Sequence, residues 1–117
     1  MAATELMTPA DFAAFGRDYL HGGAVSVLAD TTAGYGAQAT LPRGARGFLT
    51  VEMKSNLLRA VRDGTVECVA HSIHLGRTTQ VWDAVLTHRP SGKAVALFRC
   101  TQLILYPDVE APSHGRD

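Results

Sequence analysis

Four strand-like segments joined by short turns fill the chain from Phe48 onward, and they constrain the fold more than any other feature. They are Phe48 to Leu58, Thr65 to Ile73, Gln80 to His88 and Ala94 to Tyr106. Within the third, Trp82, Ala84 and Leu86 alternate with Val81, Asp83, Val85 and Thr87, the two-residue period of a strand. Arg62-Asp63-Gly64 and Arg89-Pro90-Ser91-Gly92 separate neighbouring segments with turn-forming residues. Strands joined so tightly must run antiparallel, because a parallel pair needs a long crossover.

A cover for that sheet lies upstream. His21-Gly22-Gly23 leads into a helical segment from Ala24 to about Ala39, where Val25, Leu28, Ala29, Thr32 and Tyr35 recur on one face. Ala24, Ser26, Ala33, Gly34, Gly36 and Ala37 make the segment unusually rich in small residues, which permits close approach by another backbone. Gly34 and Gly36 each cost about 1 kcal/mol of helix stability relative to Ala. Leu41-Pro42-Arg43-Gly44 ends the segment in a loop. A short helix is expected from Thr8 to Phe15, with Thr8 as cap, Pro9 in the first turn and Gly16 as terminator. The expected architecture is α+β, one long helix wrapped by a curved antiparallel sheet. Residues 1–106 are expected to form one domain and residues 107–117 a loose tail.

Composition narrows the classes of function. The 117 residues suffice for one core, and 46% hydrophobic with 19% charged residues is the make-up of an ordinary globular domain. Eleven Lys+Arg balance eleven Asp+Glu. Zero net charge argues against a nucleic-acid or membrane-surface binder and removes one barrier to self-association. No apolar run approaches the roughly 20 residues of a membrane span. Met1 to Met7 does not read as a secretory signal, so a cytoplasmic location is expected. Cys68 and Cys100 lie far apart in apolar segments and read as buried free thiols; without CxxC pairs no metal site is expected. His71 and His74 lie three apart on a strand, where alternation would send them to opposite faces.

The chemistry concentrates around the helix entrance. Gly22 and Gly23 leave unshielded backbone N–H groups at its positive end, a setting suited to an oxyanion, although two glycines also make a flexible turn. Asp30 is a poor mid-helix residue. It reads equally as a partly buried base, as a solvated carboxylate, or as the partner of a strand Arg. His21 and Asp30 are nine positions apart, which places them on opposite sides of a helix and roughly 13 Å apart along it. If both act on one carbonyl, the second must come from another subunit, so a two-fold dimer with composite sites is expected.

His21-Gly22-Gly23 followed on the same helix by Ala29-Asp30 resembles the hotdog-fold acyl-CoA thioesterases, in the branch of the phenylacetate-pathway and enterobactin-proofreading enzymes. His74-Leu75-Gly76-Arg77-Thr78-Thr79-Gln80-Val81-Trp82 resembles a turn and strand of the same branch, and Val51 to Ala60 resembles its active-site strand. The resemblance covers about His21 to Leu105. It implies hydrolysis of an acyl-CoA or acyl-carrier-protein thioester without a cofactor, by a homodimer or homotetramer. It makes Asp30 the nucleophile or general base, Gly22 or Gly23 the amide that polarises the carbonyl, and His21 an orienting residue. It places Thr31, Gly34, Asn56 and Leu57 beside the substrate, and Gly76, Arg77 and Thr78 near the CoA nucleotide.

Two departures stand out. Phe15 occupies the position where the family usually has Asn or Gln, and the family's first strand is expected to be absent or replaced. They motivate an alternative, a non-catalytic module that binds acyl thioesters or serves in assembly. A hydratase or dehydratase on the same fold is a further reading. Ser26 lacks a G-x-S-x-G elbow, which disfavours a serine hydrolase.

Overall fold

The computed structural model describes residues 1–7 and 20–107. The elements are β1 (Ala2–Met7), α1 (Gly22–Ala39), β2 (Gly47–Leu57), β3 (Val66–Leu75), β4 (Thr79–His88) and β5 (Lys93–Leu105). The short helix expected from Thr8 to Phe15, and the tail beyond Pro107, lie outside the described residues.

The strands form one open antiparallel sheet in the order β1-β3-β4-β5-β2, and α1 lies across it. This is the expected α+β hotdog architecture. The strand expected to be absent or replaced has a counterpart at the outer edge of β3. β1 pairs with it from Ala2↔His71 to Met7↔Val66, supplying a fifth strand upstream of the helix. That edge is thereby satisfied by backbone hydrogen bonds.

The core sits between α1 and the inner face of the sheet. Val66, Cys68 and Ala70 of β3, Trp82, Ala84 and Leu86 of β4, and Ala96, Phe98 and Cys100 of β5 are buried there at the two-residue period. Complete burial of side chains such as Leu86 contributes about 2–3 kcal/mol each. The helix answers with Ala24, Val25, Leu28, Ala29, Thr32, Ala33, Gly36 and Ala37. Tyr35, placed on the apolar face by the sequence pattern, is instead exposed, and Gly36 takes its turn in the core. The reason is Trp82. A Cβ on Gly36 would stand 2.3 Å from the indole Cη2, so only glycine admits the ring. The close approach that the small residues permit is thus to an indole rather than a backbone.

The same tryptophan ties off the helix. Trp82 Nε1 donates to Gln80 Oε1 at 2.9 Å, and Gln80 Nε2 donates to the Thr40 carbonyl at 3.1 Å, at the C-cap. At the other end, His21 is the N-cap: its Nδ1 accepts from the N–H of Gly23 at 2.8 Å. Both cysteines are free and buried, and burial pushes both thiols above their ordinary range. Among the described residues, no helix is long and apolar enough to cross a membrane.

Candidate active site

Residues four apart share a helix face. On α1 the stripe Gly22, Ser26, Asp30, Gly34 turns towards β2 and meets it at four levels. A Cβ on Gly22 would lie 2.6 Å from Leu57 Cδ1. Ser26 Oγ and Ser55 Oγ are 2.8 Å apart. Thr50 Oγ1 donates to Asp30 Oδ1 at 3.1 Å. A Cβ on Gly34 would lie 3.6 Å from Phe48 Cζ. The residues on the stripe are small or short, so the seam stays open between its contacts.

Two clefts result. One, of about 380 Å³, is lined by Asp30, Thr31, Gly34, Tyr35, Gln38, Phe48 and Thr50. The other, of about 310 Å³, lies at the helix entrance and is lined by Gly22 with Leu20, Val25, Leu57, Arg59 and Val95, among others. Asp30, Thr31 and Gly34 are therefore brought together, whereas Gly22 and Leu57 share a different cleft of the same protomer. The separation expected along the helix is realised.

Asp30 is half-buried and belongs to neither ion pair found among the described residues. Of its three readings, the structure supports the partly buried carboxylate, held by a neutral hydroxyl. Behind Thr50 the polar contacts continue inward. Thr50 Oγ1 lies 2.8 Å from Gln102 Oε1, and Gln102 Nε2 lies 3.4 Å from Cys100 Sγ. The Cys100 thiol is pushed up to about 11, chiefly by burial and additionally by the nearby charge of Asp30. This thiol keeps its proton at neutral pH.

At the helix entrance the two glycines differ. The N–H of Gly23 is already engaged by His21 Nδ1. The N–H of Gly22 meets no acceptor among the described residues. Because His21 accepts through Nδ1, its ring proton sits on Nε2.

Other expected site residues are placed elsewhere. A bulge between Thr50 and Glu52 reverses the alternation of β2. Phe48 and Thr50 face α1 before it, and Ser55 and Leu57 after it, so Asn56 falls on the opposite face. There it lines an outer depression with Lys54, Asp83 and Arg99, away from Asp30. Arg99 hydrogen-bonds Asp83 and holds its carboxyl below the ordinary range. Gly76, Arg77 and Thr78 form the β3–β4 turn, just beyond the cross-strand row Gln80↔Gln102↔Thr50. Arg77 lies over the Tyr106 ring at 5.9 Å, and Tyr106 Oη donates to its carbonyl. A second bulge, between Ser72 and His74, overturns the alternation argument for the histidines. His71 pairs with Asp83 and His74 with Val81, two positions that share a face, and both histidines are exposed. Trp82 and Phe98 are core residues, and Tyr106 is partly exposed.

Thr50, Gln102, Phe48 and Tyr35 were not identified as site residues from the sequence. One signal for Gln102 was present: it occupies an inward position of β5 where Cys100 and Ile104 set an apolar pattern.

Residues 18–95 match the family model described as the thioesterase superfamily. The 1,4-dihydroxy-2-naphthoyl-CoA hydrolase of Listeria monocytogenes is 36% identical over 83 residues, 71% of this chain and 66% of that protein. The proofreading thioesterase EntH of Cronobacter sakazakii is 33% identical over 86 residues, 74% of this chain and 61% of that protein. The chain thus spans less than two thirds of the length of either relative. A mutant of thioesterase PA1618 from Pseudomonas aeruginosa superposes with a TM-score of 0.82 at 33% identity, covering 89% of this chain and 74% of that one.

Proposed function

The chain belongs to the thioesterase superfamily, and from that premise we propose that it hydrolyses an acyl-CoA or acyl-carrier-protein thioester at a site shared between two copies. The observation that carries this reading is the division of the seam. Asp30 lines one cleft and Gly22, whose amide meets no acceptor among the described residues, lines another. A two-fold partner laid along β2 brings the carboxylate of one copy to the helix entrance of the other. The β2 edge supports such pairing: Leu49, Val51, Met53, Leu57 and Leu58 are each half or more exposed on or beside an 11-residue edge strand.

In this site the thioester carbonyl oxygen accepts from the partner subunit's Gly22 N–H, at the positive end of its helix. Asp30 takes a proton from water as the water oxygen bonds to the carbonyl carbon. The negative charge on the former carbonyl oxygen is stabilised by the amide and the helix dipole. The C–S bond then breaks, the carbonyl reforms, and the departing thiolate receives the proton from Asp30. No metal or organic cofactor enters. His21, engaged with Gly23, fixes the helix entrance rather than touching the reacting atoms. Phe48 and Tyr35 flank the Asp30 cleft and suit an aromatic acyl group, and the similarity to a naphthoyl-CoA hydrolase points the same way.

The test is thiol release from benzoyl-CoA and hexanoyl-CoA. Asp30→Asn should lower turnover by at least ~100-fold without loss of fold. Gly22→Pro should lower it by about 100-fold. Proline is well accommodated at the first helical position and removes the N–H; Gly22→Ala, which presses on Leu57 in the same way but keeps the N–H, is the control and should retain most of the turnover. Asp30→Asn and Gly22→Pro should each be nearly inactive alone, whereas mixing them with subunit exchange should restore activity, since a mixed dimer holds one intact site. Full turnover by Asp30→Asn, or a monomer in solution, would reject the reading. Binding of acyl-CoA without thiol release would favour the non-catalytic module.

A further inference from the structure

The inner face of the sheet carries a polar row across three strands, Gln80↔Gln102↔Thr50, beneath an otherwise apolar helix face. Gln80 and Gln102 are both fully buried. A buried amide is costly unless its hydrogen bonds are made. The two glutamines meet that cost differently. Gln80 bonds Trp82 and the backbone at Thr40, so it locks the fold. Gln102 bonds no backbone among the described residues; its partners are Thr50 and Cys100, and Thr50 leads to Asp30.

We infer that Thr50 is a positioning residue and that Gln102, Thr50 and Asp30 form a directional relay holding the carboxylate oriented in its cleft. The inference rests on the role proposed for Asp30 above.

Proton counting sets the direction. Thr50 has one hydroxyl hydrogen and two acceptors within reach, Asp30 Oδ1 at 3.1 Å and Gln102 Oε1 at 2.8 Å. If the hydrogen pointed to Gln102, a hydroxyl lone pair would face an anion. Turning the near-isosteric Gln102 amide removes the conflict. Nε2–H then donates to Thr50 Oγ1, and the Thr50 hydroxyl donates to Asp30 in a charge-assisted bond, the stronger kind. The amide oxygen turns to Cys100, whose thiol keeps a proton to donate because burial raises it to about 11. The chain runs from Cys100 through Gln102 and Thr50 to Asp30, with a donor facing an acceptor at each of its three links. Among the described residues no donor meets Asp30 Oδ2, which leaves that oxygen for the attacking water.

The test compares Thr50→Val, which keeps the shape and loses the hydroxyl, with Thr50→Ser, which keeps the hydroxyl. Both are measured beside Asp30→Asn with benzoyl-CoA, or with hexanoyl-CoA if that is turned over faster. Thr50→Val should lower kcat about tenfold with KM little changed, the size expected for one hydrogen bond to a charged group. Thr50→Ser should restore kcat. Gln102→Met is the second variant, which keeps Thr50 but removes its donor; a smaller fall in kcat, again with KM little changed, is expected. An unchanged kcat in either folded variant, with Asp30→Asn inactive, would overturn the relay and leave the role of Asp30 standing. An active Asp30→Asn would overturn both.

Discussion

Two stripes of small residues run along α1, and they do opposite things. Ala29, Thr32, Ala33 and Gly36 turn towards the sheet interior, where Gly36 meets the face of Trp82 and no space is left. Gly22, Ser26, Asp30 and Gly34 turn towards β2, where the contacts are spaced and clefts remain. The two glycines near the end of the helix have similar local propensity, yet one closes a contact and the other opens a cavity. The partner opposite, a fused ring or an edge-strand side chain, decides between these outcomes.

Substitution should separate the two stripes. Gly36→Ala forces a methyl to within 3 Å of three ring atoms of Trp82. The ring is fully buried and cannot step aside, so a loss of about 3 kcal/mol is expected, read as a lower denaturant midpoint. Gly34→Ala places its methyl at ordinary contact distance from Phe48. It should stabilise the helix by up to about 1 kcal/mol. Because the methyl enters the Asp30 cleft, it should also raise KM for benzoyl-CoA. Equal destabilisation by both changes would erase the distinction between the stripes.

The smallest effect is expected outside both stripes. On the outer sheet face Arg99 lowers the Asp83 pKa below the usual carboxylate value. The folded value lies below the unfolded one, so the pair's contribution is present above about pH 4 and is lost as the pH falls through the folded value. Both side chains are substantially exposed, so the contribution is small. Asp83→Asn should produce a slight drop in Tm at neutral pH that disappears in acid.

Much of this was legible in the residue pattern. The helix was expected from Ala24 to about Ala39 and runs from Gly22 to Ala39. All four strands after it appear within two residues of their expected limits. Periodicity reads well wherever one face is buried, because misplacing such a segment would expose its apolar set. The nine-residue interval from His21 to Asp30 also told correctly that one helix could not bring both to one place. What escaped was mostly a matter of parity and edges. Asn56, placed beside the substrate by the resemblance, faces away from Asp30 because one extra residue at the β2 bulge turns every following side chain over. The histidines of β3 changed faces for the same reason. Ala2 to Met7 is too short and mixed to announce a strand, and its order comes from pairing with β3.

The sequence by itself determined the α+β class, the helix, the strand order along the chain and the position of Asp30 on a helix too small-sided to fill its seam. Local propensity and burial period act over a few residues, and those features need nothing more. Only the tertiary structure decided what stands opposite each of them: Thr50 and Gln102 behind Asp30, Trp82 against Gly36, and His21 closed onto Gly23 rather than Gly22. Those contacts join residues as far as 52 positions apart, and no local rule specifies a pairing at that distance. It follows from strand register and from the bulges that shift it.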